Sequence, residues 1–223
     1  MENVDGPRHR VFEFLRFRAD TRQGVLLRGG EIVALTPKAF ELLVVLIESG
    51  GRVVGKDELM KRVWPDTIVE EANLSHQIYK LREALDEGSG PGCIQTVPRR
   101  GYRFAAPVTE AEGPASVAAV PTLRWGDREI PLAQGANLLG RTPDCLVRID
   151  SVSVSREHAR ILLNRQDAVI EDLHSKNGTF VNGARVVAPV ALRDGDEILI
   201  GTVPMTFHSI DVLPSTRTAG RSS

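Results

Sequence analysis

At 223 residues and 42 % hydrophobic side chains, the chain has room for two ordinary domains, each with its own core. The net charge of -1 excludes a global polyanion- or membrane-binding surface, because Lys plus Arg against Asp plus Glu is 16 against 15 up to Phe104 and 12 against 14 beyond it. Cys93 and Cys145 have no metal-ligand spacing around them, the first ten residues lack an apolar signal core, and the apolar run 39–47 is too short to span a bilayer, so a cytoplasmic protein without membrane contact is expected.

In chain order, Phe12, Phe14 and Phe17 with Val25, Leu26 and Leu27 read as short strands joined by turns. Thr36 before Pro37 is a helix N-cap followed by a good first residue; Phe40, Leu43, Val44 and Ile47 then recur at helical spacing until Gly50 and Gly51. A second helix fits 56–63, with Leu59, Met60 and Val63 inward, and Trp64-Pro65-Asp66 ends it. A third fits 71–85, where Leu74, Ile78, Leu81 and Leu85 form one stripe.

On that third helix Asn73, His76 and Lys80 fall together on the polar flank, with Gln77 beside them. These side chains can read base edges: Asn pairs with adenine, Lys with guanine, and His donates to base acceptors or phosphate. Tyr79 and Arg82 lie on the other side, placed for phosphates. Past a polar loop at 86–92, Ile94 to Val97, then Pro98-Arg99-Arg100-Gly101, then Tyr102-Arg103-Phe104 make strand, basic turn and strand. The tip arginines Arg99 and Arg100 suit a minor groove or a phosphate. A polar helix flank alone is most often a solvated face; the concurrence of helix, basic hairpin and chain order favours DNA.

This half, Val11 to Phe104, resembles the winged-helix output domain of the OmpR/PhoB type. It is closer still to its receiver-less, CadC-like relatives, through Val-Trp-Pro-Asp before the third helix and Val-Pro-Arg-Arg-Gly-Tyr-Arg-Phe in the hairpin. The resemblance implies a leading sheet packed on three helices, the third helix in the major groove and the hairpin as a wing on the flanking backbone. It also implies that 64–70, with Asp66 and Glu70 and the adjoining Glu71 as its acidic residues, is a loop able to touch RNA polymerase.

Residues 106–121, rich in Ala, Pro, Gly and Glu, read as a semi-flexible linker. Beyond it, short apolar runs at 146–149, 159–163, 168–170 and 179–181 alternate with polar loops, the pattern of a β-sandwich with a site on its loops. The loops carry Gly140-Arg141, Ser155-Arg156-Glu157-His158-Ala159 and the run from Asp172 to Gly183. Arg141 offers a planar fork for two phosphate oxygens, Ser155 a hydroxyl, and Asn177 both donors and an acceptor for an extended backbone.

These blocks resemble the forkhead-associated (FHA) domain, a phosphothreonine-peptide reader, over about 122–213. The resemblance implies that Arg141 and Ser155 bind the phosphate, Asn177 holds the peptide backbone, and Arg156 and Lys176 add positive charge. It implies that Gly140, His158, Gly178, Asn182 and Gly183 brace the loops.

The expected architecture is therefore two domains: an α+β winged helix-turn-helix at 11–105, a linker at 106–121, an all-β FHA-type antiparallel β-sandwich at 122–213 and a disordered tail at 214–223. No nucleophile elbow, Walker-type loop or Cys/His cluster accompanies them, so no catalytic site, metal or cofactor is expected. The expected function is a sequence-specific transcriptional regulator controlled through phosphothreonine binding and linked to Ser/Thr kinase signalling. The alternative is a phosphothreonine adaptor whose winged helix docks protein.

Expected partners are double-stranded DNA and a phosphothreonine-containing protein, either a Ser/Thr kinase or another copy of this chain. RNA polymerase and a phosphorylation- or DNA-dependent dimer are the further candidates. For capture of one copy by another, Thr109, Thr122, Thr216 and Thr218 are the candidate phosphorylation sites, chosen for lying in or beside the expected flexible segments.

Overall fold

The structure, a computed structural model, describes residues 10–65, 69–85, 92–111, 120–164 and 167–209. Two separate hydrophobic cores divide it. One gathers Phe12, Phe14, Leu26, Leu42, Leu46, Leu59, Leu74, Ile78, Leu81 and Phe104; the other gathers Leu123, Leu139, Ile161, Ile170, Ile198, Ile200 and Phe207.

The first core opens with a meander of β1 (Val11–Phe14), β2 (Phe17–Asp20), β3 (Val25–Arg28) and β4 (Glu31–Val33). Three helices follow: α1 (Pro37–Glu48), α2 (Lys56–Val63) and α3 (Glu71–Ala84). The start of α1 follows from its cap, since the Thr36 hydroxyl accepts from the Ala39 amide at 3.2 Å and Pro37 has no amide to leave unsatisfied. Its end follows from Gly50 and Gly51, both at positive φ. Helix α1 is buried on more of its circumference than the Phe40, Leu43, Val44, Ile47 stripe suggests: Leu42, Val45 and Leu46 are buried too, because α2, α3 and the later strand Gly101–Phe104 all pack on it. The domain closes with β5 (Ile94–Val97) and β6 (Gly101–Phe104), a two-stranded antiparallel hairpin.

The expected linker starts later than its composition suggests. Within 106–121, β7 (Thr109–Ala111) adds to the edge of β1, giving the order β4-β3-β2-β1-β7. The edge amides of β1 need partners, and Arg10 holds Glu110 in two parallel bonds of 2.8 and 2.9 Å. Thr109 therefore sits in a strand, as does Thr122 in β8, so neither belongs to a flexible segment. Thr216 and Thr218, like the whole expected tail at 214–223, lie outside the described residues.

The second core lies between two sheets. Its strands are β8 (Thr122–Trp125), β9 (Arg128–Pro131), β10 (Gly135–Gly140), β11 (Val147–Arg148), β12 (Ala159–Asn164), β13 (Asp167–Asp172), β14 (Thr179–Val181), β15 (Ala184–Arg185), β16 (Val190–Ala191), β17 (Glu197–Ile200) and β18 (Val203–His208). They order as β11-β10-β12-β13-β16 and β15-β14-β17-β18-β8-β9. One pair departs from the antiparallel expectation: β10 and β11 run parallel, Leu139 opposite Val147, because residues 141–146 carry the chain back across the top of the sheet before it pairs.

Among the described residues no helix is long and apolar enough to cross a membrane. Cys93 and Cys145 are both buried and are not joined in a disulfide. Burial pushes the Cys145 thiol up despite its bond to Thr142, which keeps it protonated and unreactive.

Candidate functional site

Two constellations stand apart from the cores. On α3, His76, Tyr79 and Lys80 are exposed and Asn73 is half-buried. Lys80 reaches Glu83 at 3.2 Å, a weak exposed pair one helical turn along. Gln77 does not join this flank; it is fully buried, accepting from the Thr36 hydroxyl at 3.1 Å and so tying α3 to the cap of α1. Arg82 also has a structural role: its guanidinium donates to the Ile94 carbonyl at 2.9 and 3.2 Å and to the Thr96 hydroxyl at 2.9 Å. That contact fixes β5, and with it the hairpin, relative to α3.

Arg99 and Arg100 stand exposed at the hairpin tip, Arg99 with φ of 61°. The turn closes through the Arg100 amide on the Val97 carbonyl at 3.0 Å. Its base is locked to the loop before α2, where Val54 and Tyr102 exchange backbone bonds of 2.8 and 3.0 Å. Of the acidic residues proposed to meet polymerase, Asp66 lies outside the described residues, Glu71 is paired with Lys56, and Glu70 is the exposed N-cap residue of α3.

At the sandwich end, three loops meet. The Arg141 amide donates to the Ser155 carbonyl at 3.0 Å, and the Thr142 amide and hydroxyl both donate to the Arg156 carbonyl at 3.2 Å. Gly140 is required for that approach: a Cβ there would lie 2.2 Å from the Arg156 carbonyl oxygen. The Lys176 amide donates to the Ser155 hydroxyl at 3.1 Å, and the Asn177 carboxamide to the Ser153 carbonyl at 2.7 Å. Arg141, Arg156, Lys176 and Asn177 are exposed and Ser155 half-buried, so five groups of the pattern crown one rim.

Beneath the rim His158 is fully buried. Its Nδ1 accepts from the Ser155 amide at 3.0 Å, which leaves the proton on Nε2 to donate to the Gly178 carbonyl at 3.1 Å. Asn182 and Gly183, both at positive φ, make the tight β14–β15 turn, and Asn182 also bonds Asp196 and the Glu197 amide.

The motif reading missed Asp172, whose carboxylate accepts from the Ser175 hydroxyl at 2.6 Å, the Thr179 hydroxyl at 2.7 Å and the Ser175 amide at 3.0 Å. Ser175 in turn accepts from the Gly178 amide at 2.9 Å, so Asp172 sets the shape of the loop bearing Lys176 and Asn177. The available signal was an acid followed by Ser at three and Thr at seven residues, with short polar side chains able to bond locally to it. Burial by itself raises the Asp172 pKa, but the bonds from Ser175 and Thr179 outweigh it and hold the carboxyl below its usual range.

A depressed folded pKa contributes stability that is complete above the unfolded value of about 3.9 and is lost as pH falls through the folded value. Urea melts of the whole chain should therefore show the sandwich weakening below about pH 4, and Asp172→Asn should flatten that acid limb. An unchanged limb in the variant would remove Asp172 from this role.

Sequence comparisons agree with this division. Residues 29–104 match the family model "Transcriptional regulatory protein, C terminal", and residues 137–201 match the FHA domain. The transcriptional regulator HilA of Salmonella typhi is 39 % identical over 100 residues, covering 45 % of this chain and 18 % of that protein. The transcriptional regulatory protein EmbR of Mycobacterium bovis is 39 % identical over 100 residues, covering 45 % and 26 %. A solved structure of Mycobacterium tuberculosis EmbR in complex with a low affinity phosphopeptide is 25 % identical over 75 % of this chain and 37 % of that one, with a TM-score of 0.40. This chain thus spans about a fifth to a quarter of the curated relatives it matches. It carries a transcriptional regulatory protein C-terminal domain of the OmpR/PhoB type followed by an FHA domain.

Proposed function

We propose that the chain is a cytoplasmic transcriptional regulator that binds duplex DNA through residues 11–105 and reads a phosphothreonine peptide through residues 122–213, under a Ser/Thr kinase. The observation that carries the reading is the convergence on Ser155. Its hydroxyl already accepts from the Lys176 amide, so its own O–H is left to donate outward. Arg141 beside it supplies the fork for a phosphate of about -1.5 to -2 charges. Asn177, with one donor spent on Ser153, keeps its oxygen and second hydrogen for a peptide backbone. Arg156 and Lys176 supply local charge on the rim.

On the DNA side, α3 presents Asn73, His76 and Lys80 to base edges and Tyr79 to phosphate, while Arg99 and Arg100 reach the flanking backbone or minor groove. Arg82 acts by aligning the hairpin with α3. A single winged helix makes few phosphate contacts and binds weakly at physiological salt, so a second contact has to come from elsewhere. Phosphopeptide-dependent pairing of two chains, or tethering to a phosphorylated partner, raises apparent affinity by about 10²-fold or more.

One contact favours control of activity in addition to recruitment. Asp144, three residues from Arg141, lies 3.4 Å from His76 Nε2 and 3.4 Å from Gln77 Nε2 on α3. DNA and this carboxylate compete for the same flank, and the loop holding Asp144 also holds Arg141. An exposed pair of this kind is worth about 0.2–1 kcal/mol, so it biases DNA binding by a few fold and cannot act as a complete switch.

The test is a DNA-pool selection with the whole chain, followed by anisotropy on the selected duplex. The Asn73, Lys80, Arg99, Arg100 quadruple alanine variant should lose binding. Asp144→Ala should tighten it about two- to fivefold without phosphopeptide. A quadruple variant that retains full function in cells would transfer the reading to a protein-docking adaptor.

A further inference from the structure

One cation on the FHA rim has no part in the reading above. Arg185, the last residue of β15, stands opposite Phe180 in the β14–β15 pair. Its side chain runs back over the loop: a Cβ built on Gly178 would lie 3.2 Å from Arg185 Nε, 3.4 Å from its Cζ and 3.3 Å from the Phe180 ring. The guanidinium therefore covers Gly178, the residue next to Asn177, which needs glycine for its φ of 82° and whose missing Cβ lets the guanidinium lie close.

Arg185 is exposed and makes no ion pair or side-chain hydrogen bond among the described residues. In this it resembles Arg141 on the same rim and differs from Arg10, paired with Glu110, Arg52, paired with Glu58, and Arg160, paired with Glu171. Arg185 is thus held in place by Gly178 and Phe180 while all its donors remain available, a pre-organised fork that loses little side-chain freedom on gaining a partner.

Resting on the phosphothreonine reading, we propose that Arg185 selects an acidic side chain, Asp or Glu, in the bound peptide. A peptide with its phosphate at Arg141 and Ser155 and its backbone at Asn177 continues past the outer, exposed side of the guanidinium that covers Gly178. Successive Cα atoms are about 3.8 Å apart, so the residue met by Arg185 lies within about three positions of the one held by Asn177. A phosphate of at most about -2 is already matched by Arg141, Arg156 and Lys176, and a fourth cation on the rim calls for a further anion. A planar guanidinium takes a carboxylate in two parallel bonds.

The experiment uses the whole chain and fluorescent phosphothreonine peptides in an alanine background, with a single Asp or Glu walked through each flanking position. One position should tighten binding about three- to tenfold over alanine, as an exposed charge-assisted pair does. Arg185→Gln should remove that ratio without moving the thermal midpoint, and Arg185→Glu should turn it into a preference for Lys at the same position. Phosphate-dependent binding with no acidic preference, or a preference that survives Arg185→Gln, overturns the proposal alone. A Tm that falls in Arg185→Gln overturns it in favour of a packing role for the side chain. No phosphate-dependent binding of any peptide overturns this proposal together with the reading of the site.

Discussion

Arg141→Ala is expected to abolish phosphate-dependent peptide binding while leaving the fold intact. The side chain is exposed and bonded to nothing among the described residues; only its amide, which alanine keeps, joins the Ser155 loop. Losing a charged hydrogen bond costs about 1.5–3 kcal/mol, so a two-pronged contact is worth about 3–6 kcal/mol, or roughly two to four powers of ten in affinity. Ser155→Ala removes its one bond to phosphate together with the acceptor of the Lys176 amide, and should cost at least about tenfold. Arg156 and Lys176 are exposed point charges in water, worth a few fold each. Calorimetric titration with a phosphothreonine peptide pool and its dephosphorylated twin separates these cases. Heat that is independent of phosphate, or that persists undiminished in Arg141→Ala, would leave the DNA-binding half without this input.

Gly101→Ala is expected to have the largest effect on stability, and in the other domain. A Cβ at Gly101 would lie 2.0 Å from the Val54 carbonyl oxygen and 2.9 Å from its carbon, on a backbone with φ of 142°. Both obstacles are main chain, so no side chain can turn aside to relieve them. The Val54–Tyr102 bridge has to open, and the hairpin loses its attachment to the helices. Strain of about 1–3 kcal/mol and overpacking of about 1–3 kcal/mol add to roughly 2–6 kcal/mol.

In a domain of this size each kcal/mol moves Tm by about 4–8 °C, which places the shift at roughly 10 °C or more. Because the two cores are separate, calorimetry should show the winged-helix transition falling while the FHA transition stays in place. A common shift of both transitions would mean that the domains unfold as one unit.

Where the information is local, residue type and spacing set the outcome. Thr36 and Pro37 start α1 because the cap bond spans three residues, and Gly50 and Gly51 stop it because glycine adopts a positive φ at little steric cost. The helical repeat of Leu74, Ile78 and Leu81 and the β5–β6 hairpin with its arginine tip are local in the same way. The loop motifs around Arg141, Ser155 and Asn177 were legible because three linear blocks agree in residue type and spacing.

The remaining features depend on partners far apart in the chain, for which neither propensity nor period gives a signal. Gln77 looked like a member of the reading flank, and it is buried because the α1 cap hydroxyl 41 residues earlier needs it. Arg82 looked like a phosphate contact, and it is engaged by a strand 12 and 14 residues later. Residues 109–111 look like linker by composition, and β1 makes them a strand because an open edge offers unpaired amides. The placing of Asp144 against α3 and of Arg185 over Gly178 belongs to the same class, since each is a contact made only once the sheets have closed and the loops have been brought together.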